Sequence, residues 1–466
     1  MSVPESSTRA VDTPTSRSLS TTERDLMVGA LILITTGAFE AMAVINAMPT
    51  VVKYFGPDQW FALVSGIAIA MQVVSTVVAG WLADHRGVGV CLYGGLTLFA
   101  LGALAAGLAP SLVVFAFARA LQGIGGGLII VPLYVLIGAL VPASKRPRFF
   151  AAFSYAWVVP SMVGPALSGW IITHFSWRIV FLISLPMAAL SIVPLVRSVN
   201  RTKVAKKDWD NFPKVPMLAG IGFATAITVW QVAGGFTDAK RWLAVVAAGV
   251  LLVVALRYLL PAGALKAVPG IPAIISTRLL IMASMIGAEA FVPLVLERVH
   301  HWHPLQTGLG VAMGTITWTI GSWLQARITV PKKRRSLPFI GTGLVLTGAV
   351  VAMTLPWVGI HPVVGLIGWS ITGLGMGLAV ATTSDLVLSM ADQSQHGQVS
   401  SALQVADSVG PALSMGIAAL ALSVTMGMTP VAAAGTWWSA VVFLPASALA
   451  VVTAAAGLLA AKHIHA

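Results

Sequence analysis

The sequence predicts an all-α polytopic membrane protein: two parallel six-helix bundles with two linker transmembrane helices between them, fourteen spans in all. Three observations predict this. Of 466 residues, 57% are hydrophobic and only 9% charged, against roughly 25% charged in an ordinary soluble domain. A soluble core cannot absorb so much apolar surface, but lipid can. The apolar residues also fall in runs of membrane-crossing length, separated by short loops whose basic residues favour one side. Finally, segments of the first half recur in order in the second.

Crossing the roughly 30 Å hydrocarbon core takes about 20 mostly apolar residues. Such runs lie near 26–50, 61–83, 90–108, 112–139, 149–173 and 178–196, then near 216–235 and 242–260. Six more follow near 272–296, 305–328, 337–355, 363–390, 397–424 and 437–461. Residues 1–25, rich in Ser and Thr, read as a disordered cytoplasmic tail; the first apolar run is long enough to span rather than be cleaved. The expected organisation is an N-terminal bundle over 26–196, a basic cytoplasmic loop over 197–214, two extra transmembrane helices over 215–260 and a C-terminal bundle over 270–461.

Basic residues orient the chain. With the N-terminus inside, the inner loops carry Arg86, Lys145, Arg146 and Arg148, then Arg197 through Lys214, Arg257 and Lys266, and the cluster Lys332, Lys333, Arg334 and Arg335. Lys53, Arg178, Lys240, Arg241 and Arg298 remain outside. That asymmetry follows the positive-inside rule and needs an even span count, which leaves both termini cytoplasmic. The net charge of +13 is thereby assigned to topology and lipid, not to nucleic acid.

The repeat is the most informative feature. VGPALS occurs at 163–168 and again at 409–414; GIGGGL at 123–128 matches GLGMGL at 373–378; Glu40-Ala41 falls on Glu289-Ala290. The offsets, 246, 250 and 249, are nearly equal, and Gly80 has a weaker counterpart in Gly321. The repeat pairs spans one to six with spans nine to fourteen. Both copies start on the same side, so they are parallel repeats about an axis along the membrane normal. Two such halves are the arrangement of the major facilitator superfamily, with binding near the midplane between them.

The residues also resemble the fourteen-helix drug:proton antiporters of that superfamily. GWLADHRG (80–87) resembles the loop motif between helices two and three, with Gly80, Asp84 and Gly87 matching and His85 in place of a basic residue. RALQGIG (119–125) resembles the fourth-helix motif, through Arg119, Gln122 and Gly123. GPALSG (164–169) resembles the fifth-helix antiporter motif, with Gly164 and Pro165 matching and Gly410 and Pro411 as their repeat mates. WRIVFLISLP (177–186) and PLQTG (304–308) resemble further segments of the group. The resemblance implies export over uptake, residence in a bacterial plasma (inner) membrane and a monomer. The glycine and proline residues are read as conformational; as a bland alternative, they serve packing alone.

Ionisable groups inside spans cost about 2.5–3.5 kcal/mol each at a helix centre on insertion scales, so they default to functional candidates. Glu40, Arg119, Glu289 and Asp385 lie in the helices that the fold places around the central cavity, and Asp407 precedes the second VGPALS. The functional reading is that one or more carboxylates exchange a proton as the site alternates sides, coupling proton and substrate fluxes. A structural ion pair, for example Arg119 with Glu40, is the competing reading. Trp157, Trp230, Gln231, Phe291 and Trp318 are apolar-cavity residues that can stack on a flat substrate, although most aromatics in spans face lipid or core. The single cysteine, Cys91, excludes an intrachain disulfide. His300, His301 and His303 with nearby Glu297 make no recognisable ligand spacing, so neither metal nor cofactor is expected.

The expected function is proton-coupled export of small amphipathic compounds, cationic ones suiting the two acidic groups, with protons and membrane lipids as the other partners. A lipid or cell-envelope precursor transporter of the same fold is the nearest alternative. A metabolite uptake carrier and a non-transporting sensor are more distant ones. No nucleophile–base set or phosphate-binding loop points to an enzyme.

Overall fold

The computed structural model describes residues 19–56, 60–142, 145–201, 214–232, 239–328, 330–391, 396–428 and 437–464; most of the expected tail and of the basic loop lies outside them. The N-terminal half contains α1 (Thr21–Phe55), α2 (Phe61–Arg86), α3 (Val88–Gly107), α4 (Leu112–Leu140), α5 (Arg146–His174), α6 (Trp177–Leu182) and α7 (Ser184–Asn200). A linker hairpin follows, α8 (Lys214–Val232) and α9 (Ala239–Leu259). The C-terminal half contains α10 (Ile271–Glu289), α11 (Phe291–Arg298), α12 (Pro304–Arg327), α13 (Pro331–Ala352), α14 (Pro362–Met390), α15 (His396–Met428) and α16 (Trp437–Lys462).

Local chemistry sets the helix ends. α1 starts before the expected residue 26 because Ser20 and Glu23 form a capping box. The Ser20 amide donates to the Glu23 carboxylate at 2.7 Å, and the Glu23 amide donates to the Ser20 hydroxyl at 3.2 Å. Two amides that a helix N-terminus leaves open are thereby satisfied. The same carboxylate accepts from Lys145 at 2.9 Å, tying α1 to the start of α5. The expected single runs 178–196 and 272–296 are each interrupted, at Ile183 and Ala290. Both breaks have a proline in the next turn: Pro186 withholds the N–H that the Leu182 carbonyl would accept, and Pro293 withholds the one for Glu289. Gly87 joins α2 to α3 at φ 99°, a backbone region that favours glycine, which accounts for the last residue of GWLADHRG. The Asp84 side chain lies outside the described residues.

Among the described residues, ten stretches are long and apolar enough to cross a membrane, α6–α7 and α10–α11 each counting as one. α5, α12, α15 and α16 are not among those ten. α12 is diluted by Thr307, Thr315, Thr317 and Ser322, as befits a helix that packs along protein.

The two halves use the same packing scheme. α1 lies against α5 and α7, and α4 against α2 and α3; correspondingly, α10 lies against α15 and α16, and α14 against α12 and α13. Between the halves, α5 runs along α12 and α2 along α15, while α8 of the linker hairpin touches both α2 and α15. One end of the bundle, here termed the basic end, holds the ion pairs Lys145–Glu23, Arg201–Asp25 (3.3 Å) and Arg334–Asp385 (3.1 Å). At the far end, Arg178 lies over the rings of Tyr54 and Trp177, 4.7 and 4.4 Å from their centroids, and donates to the Ala109 carbonyl at 3.3 Å. An apolar cluster there runs across both halves, from Val51 and Phe61 to Leu294 and Val299.

Candidate functional site

The site candidates separate into two neutralised clusters and one solitary acid. In the N-terminal half, Glu40 of α1 accepts a hydrogen bond from Arg119 of α4, and Arg119 also donates to the Gln122 side-chain oxygen at 2.7 Å, one helical turn away. Their side chains are 13% and 7% exposed for Glu40 and Arg119. Gly123 follows, and a Cβ there would stand 2.0 Å from the Ala68 carbonyl, so α2 and α4 meet at their backbones. The Q-G of the fourth-helix motif thus combines a polar partner for Arg119 with a close helix approach.

In the C-terminal half, Asp407 of α15 takes a two-pronged bond from Arg278 of α10, at 2.5 Å from Nε and 2.9 Å from Nη2. Nη1 of Arg278 donates to the Val380 carbonyl at 2.6 Å and to the hydroxyls of Thr383 and Ser384 at 3.2 Å. One guanidinium therefore ties together α10, α14 and α15. Gly410, whose Cβ would stand 2.3 Å from the Leu279 carbonyl, and the adjacent Pro411 sit where α15 meets α10.

Glu289 stands alone. It is 1% exposed, ends α10 at the Ala290 break, and has both carboxyl oxygens buried without a hydrogen-bond partner. The repeat shows how the two halves differ. At the 250-residue offset of the glycine motif, Arg119 falls on Trp369 and Gln122 on Thr372. Trp369 is buried and donates its indole N–H to the Val311 carbonyl at 3.1 Å. Where the N-terminal half has its guanidinium, the C-terminal half has an indole, beside an apolar pocket lined by Ala288, Phe291, Val292 and Thr372. Asp385 lies elsewhere: half exposed at the basic end, paired with Arg334.

The far end is shut along the seam of α5 and α12. A Cβ on Gly169 would stand 2.4 Å from the Pro304 carbonyl, and one on Gly308 2.2 Å from the Pro165 carbonyl, so only glycine permits these contacts. The buried amide of Asn46 on α1 donates within its own half to the Pro165 carbonyl at 3.2 Å and the Ser168 hydroxyl at 3.1 Å, and across the seam to the Pro304 carbonyl at 3.5 Å. Gly164 faces Met42 of α1 at 3.4 Å. Arg298 adds a bond to the Pro49 carbonyl at 3.3 Å, and Phe61 packs on Phe291 with ring centroids 5.6 Å apart. The fifth-helix motif thus forms part of a closure between halves. Gly80 faces open space.

No sequence pattern singles out Arg278 or Asn46. Arg278 lies early in its span, where a long basic side chain can reach the interface; the repeat gives no warning, because its mate at offset 249 is Gly29. Among the described residues no three His, Cys, Asp or Glu side chains are grouped to hold a metal ion; His300 bonds the Leu355 carbonyl at 2.7 Å.

Two helical bundles closed on each other at one end, with buried charge near the seam, define a membrane carrier. The sequence matches the Major Facilitator Superfamily over residues 30–415. The chain belongs to that superfamily; it is a multi-pass membrane transporter and not an enzyme. It is 25% identical over 405 residues to "Multidrug transporter protein MdtP" of Bacillus subtilis, covering 83% of this chain and 72% of that one. It is 26% identical over 441 residues to "Probable multidrug-efflux transporter Rv1634" of Mycobacterium tuberculosis, covering 91% and 92%. A shorter match to an uncharacterized transporter of the same species, 34% identical over 173 residues, spans 25% of that protein. A crystal structure of a POT family transporter superimposes with a TM-score of 0.65 over 91% of this chain and 94% of that one; at 15% identity this speaks to fold alone.

Proposed function

We propose that the protein is a proton-coupled exporter of small amphipathic compounds, driven by alternating access between its halves. Glu289 carries this reading. Glu40 and Asp407 are each neutralised by an arginine of their own half, whereas Glu289 has no cation and no donor among the described residues. An isolated charge shut in an apolar setting costs several kcal/mol. The charge state of this carboxyl is therefore tied to whether its surroundings admit water, and a proton or a cationic substrate is what it would exchange. The names of the Bacillus and Mycobacterium relatives support drug-like cargo.

On this reading the chain makes fourteen crossings as a monomer in a bacterial plasma membrane. The basic end is cytoplasmic, as the positive-inside rule requires, and the shut far end faces outside. Glu289 takes the coupling role, Arg119 and Asp407 hold it indirectly through helix packing, and Gly164, Pro165, Gly410 and Pro411 serve the helix contacts that change as the halves rock.

Proteoliposomes with an imposed pH gradient test it, using a panel of cationic drugs, neutral drugs and fluorescent lipids. Gradient-driven drug movement that Glu289→Gln abolishes is the expected result. Movement of lipid alone would transfer the protein to the lipid-transporting class, and undiminished gradient-driven export by Glu289→Gln would remove this residue from the coupling.

A further inference from the structure

Gln231, near the far end of the linker helix α8, is a buried amide with nothing to bond among the described residues. It is 2% exposed, and both its nitrogen and its oxygen are buried without a hydrogen-bond partner. Its amide is pressed into a notch on α2: a Cβ on Gly66 would stand 2.1 Å from the Gln231 Nε2, and Met415 of α15 reaches the same point, its methyl carbon 3.5 Å away. One residue on, Gly416 faces Ile227 and Trp230 of α8. The Trp230 indole donates to the Val245 carbonyl of α9 at 3.0 Å, which holds this part of the hairpin together. A side chain from outside both bundles thus fills a gap bounded by one helix from each.

We infer that Gln231 and the Gly66 notch form a latch on the α2–α15 seam, through which the linker hairpin sets the balance between the far-end-closed and far-end-open states. Two opposing effects give the latch its bias. The fit of the side chain into the notch holds α2 and α15 together. The unpartnered amide opposes this, since a buried polar group without a hydrogen bond is destabilised relative to a hydrated one. When the two helices part at the far end, the amide reaches water and that penalty is relieved. Gln231 is therefore a spring-loaded residue: its shape closes the seam and its polarity favours opening. Neither of the other far-end contacts, at Asn46 or Gly308, involves the hairpin.

The inference rests on alternating access, and its test reads conformation directly, so failure of the transport reading and failure of the latch are separable. Spin labels at Leu108→Cys and Val358→Cys, both exposed and in the corresponding far-end turns of the two halves, report the far-end separation in a Cys91→Ala background. Gln231→Met keeps the length and removes the polarity; it should raise the closed-to-open ratio at least about fivefold. Gly66→Ala fills the notch and should lower that ratio by a similar factor. The double variant Gly66→Ala/Gln231→Ala, with notch filled and side chain cut back, should return towards the native ratio. If the native protein shows the closed distance alone, appearance of the open distance in Gly66→Ala decides the matter. Gln231→Leu replaces Gln231→Met should the latter not assemble. A native distance distribution in both the Gly66 variant and the apolar Gln231 variants overturns the latch, as does a shift of the latter towards the open state.

Discussion

Removing either partner of the Arg278–Asp407 pair should destabilise the C-terminal bundle strongly, and removing both should cost less than Arg278→Leu alone. The side chains are 8% and 20% exposed, so water screens them little. Arg278→Leu leaves the Asp407 carboxylate without its counter-charge; breaking a buried pair from one side costs about 3–5 kcal/mol. Asp407→Leu leaves a guanidinium that still donates to Val380, Thr383 and Ser384, which places its cost at the lower end of that range. In the double leucine variant no charge remains. The hydroxyls of Thr383 and Ser384 keep their own bonds to the carbonyls of Ala379 and Val380, so the residual cost is on the order of 1 kcal/mol per lost hydrogen bond at most. The cycle should therefore show an interaction of at least about 3 kcal/mol, at the top of the range for residues in one network. Denaturant titration in mild detergent, followed by tryptophan fluorescence, measures all four proteins. Strict additivity, or a double variant less stable than Arg278→Leu, would refute the assignment of this pair as a structural clamp.

Two further outcomes follow from the same geometry. Arg119→Leu strands Glu40 and leaves the Gln122 oxygen without its donor, and should cost about 3–5 kcal/mol in the same titration; a loss within about 0.5 kcal/mol would mean that the pair is solvated. Gly308→Val drives side-chain atoms into the Pro165 carbonyl and should widen the far-end label distance, with basic-end labels moving the opposite way if the halves rock as rigid bodies.

The apolar runs, the Glu40–Glu289 correspondence and the glycine repeat were legible in the sequence because they are local or periodic. Arg278 was not, since its partner Asp407 is 129 residues away. Asn46 was not, because it bonds carbonyls at Pro165 and Pro304, and a carbonyl leaves no residue-type signature. The helix breaks at Ile183 and Ala290 were signalled by Pro186 and Pro293, but hydropathy averages over a single proline. Glu40 and Glu289 looked equivalent in the chain. What separates them is Trp369 in the place of Arg119, a difference that acquires meaning only once the helix facing each acid is known.

The distribution of strong and weak contacts bears on how the halves can move. Each ion pair described above joins helices of one half: Glu40 with Arg119, Glu23 with Lys145, Asp407 with Arg278, Asp385 with Arg334. The contacts across the far-end seam are of another kind: amide and guanidinium bonds to carbonyls, ring packing, and backbone apposition at Gly169 and Gly308. A neutral hydrogen bond contributes about 0.5–1.5 kcal/mol net, whereas stranding one member of a buried ion pair costs about 3–5 kcal/mol. A buried ion pair across the seam would have to be stranded whenever the far end opened. Confined within bundles, the pairs instead make each half stiff while the seam stays separable. Glu289 lies at the helix break of α10–α11 and belongs to neither kind of contact. On the proposed function, with no partner among the described residues to break, a change of its charge would shift the balance between two arrangements of stiff halves without loosening either.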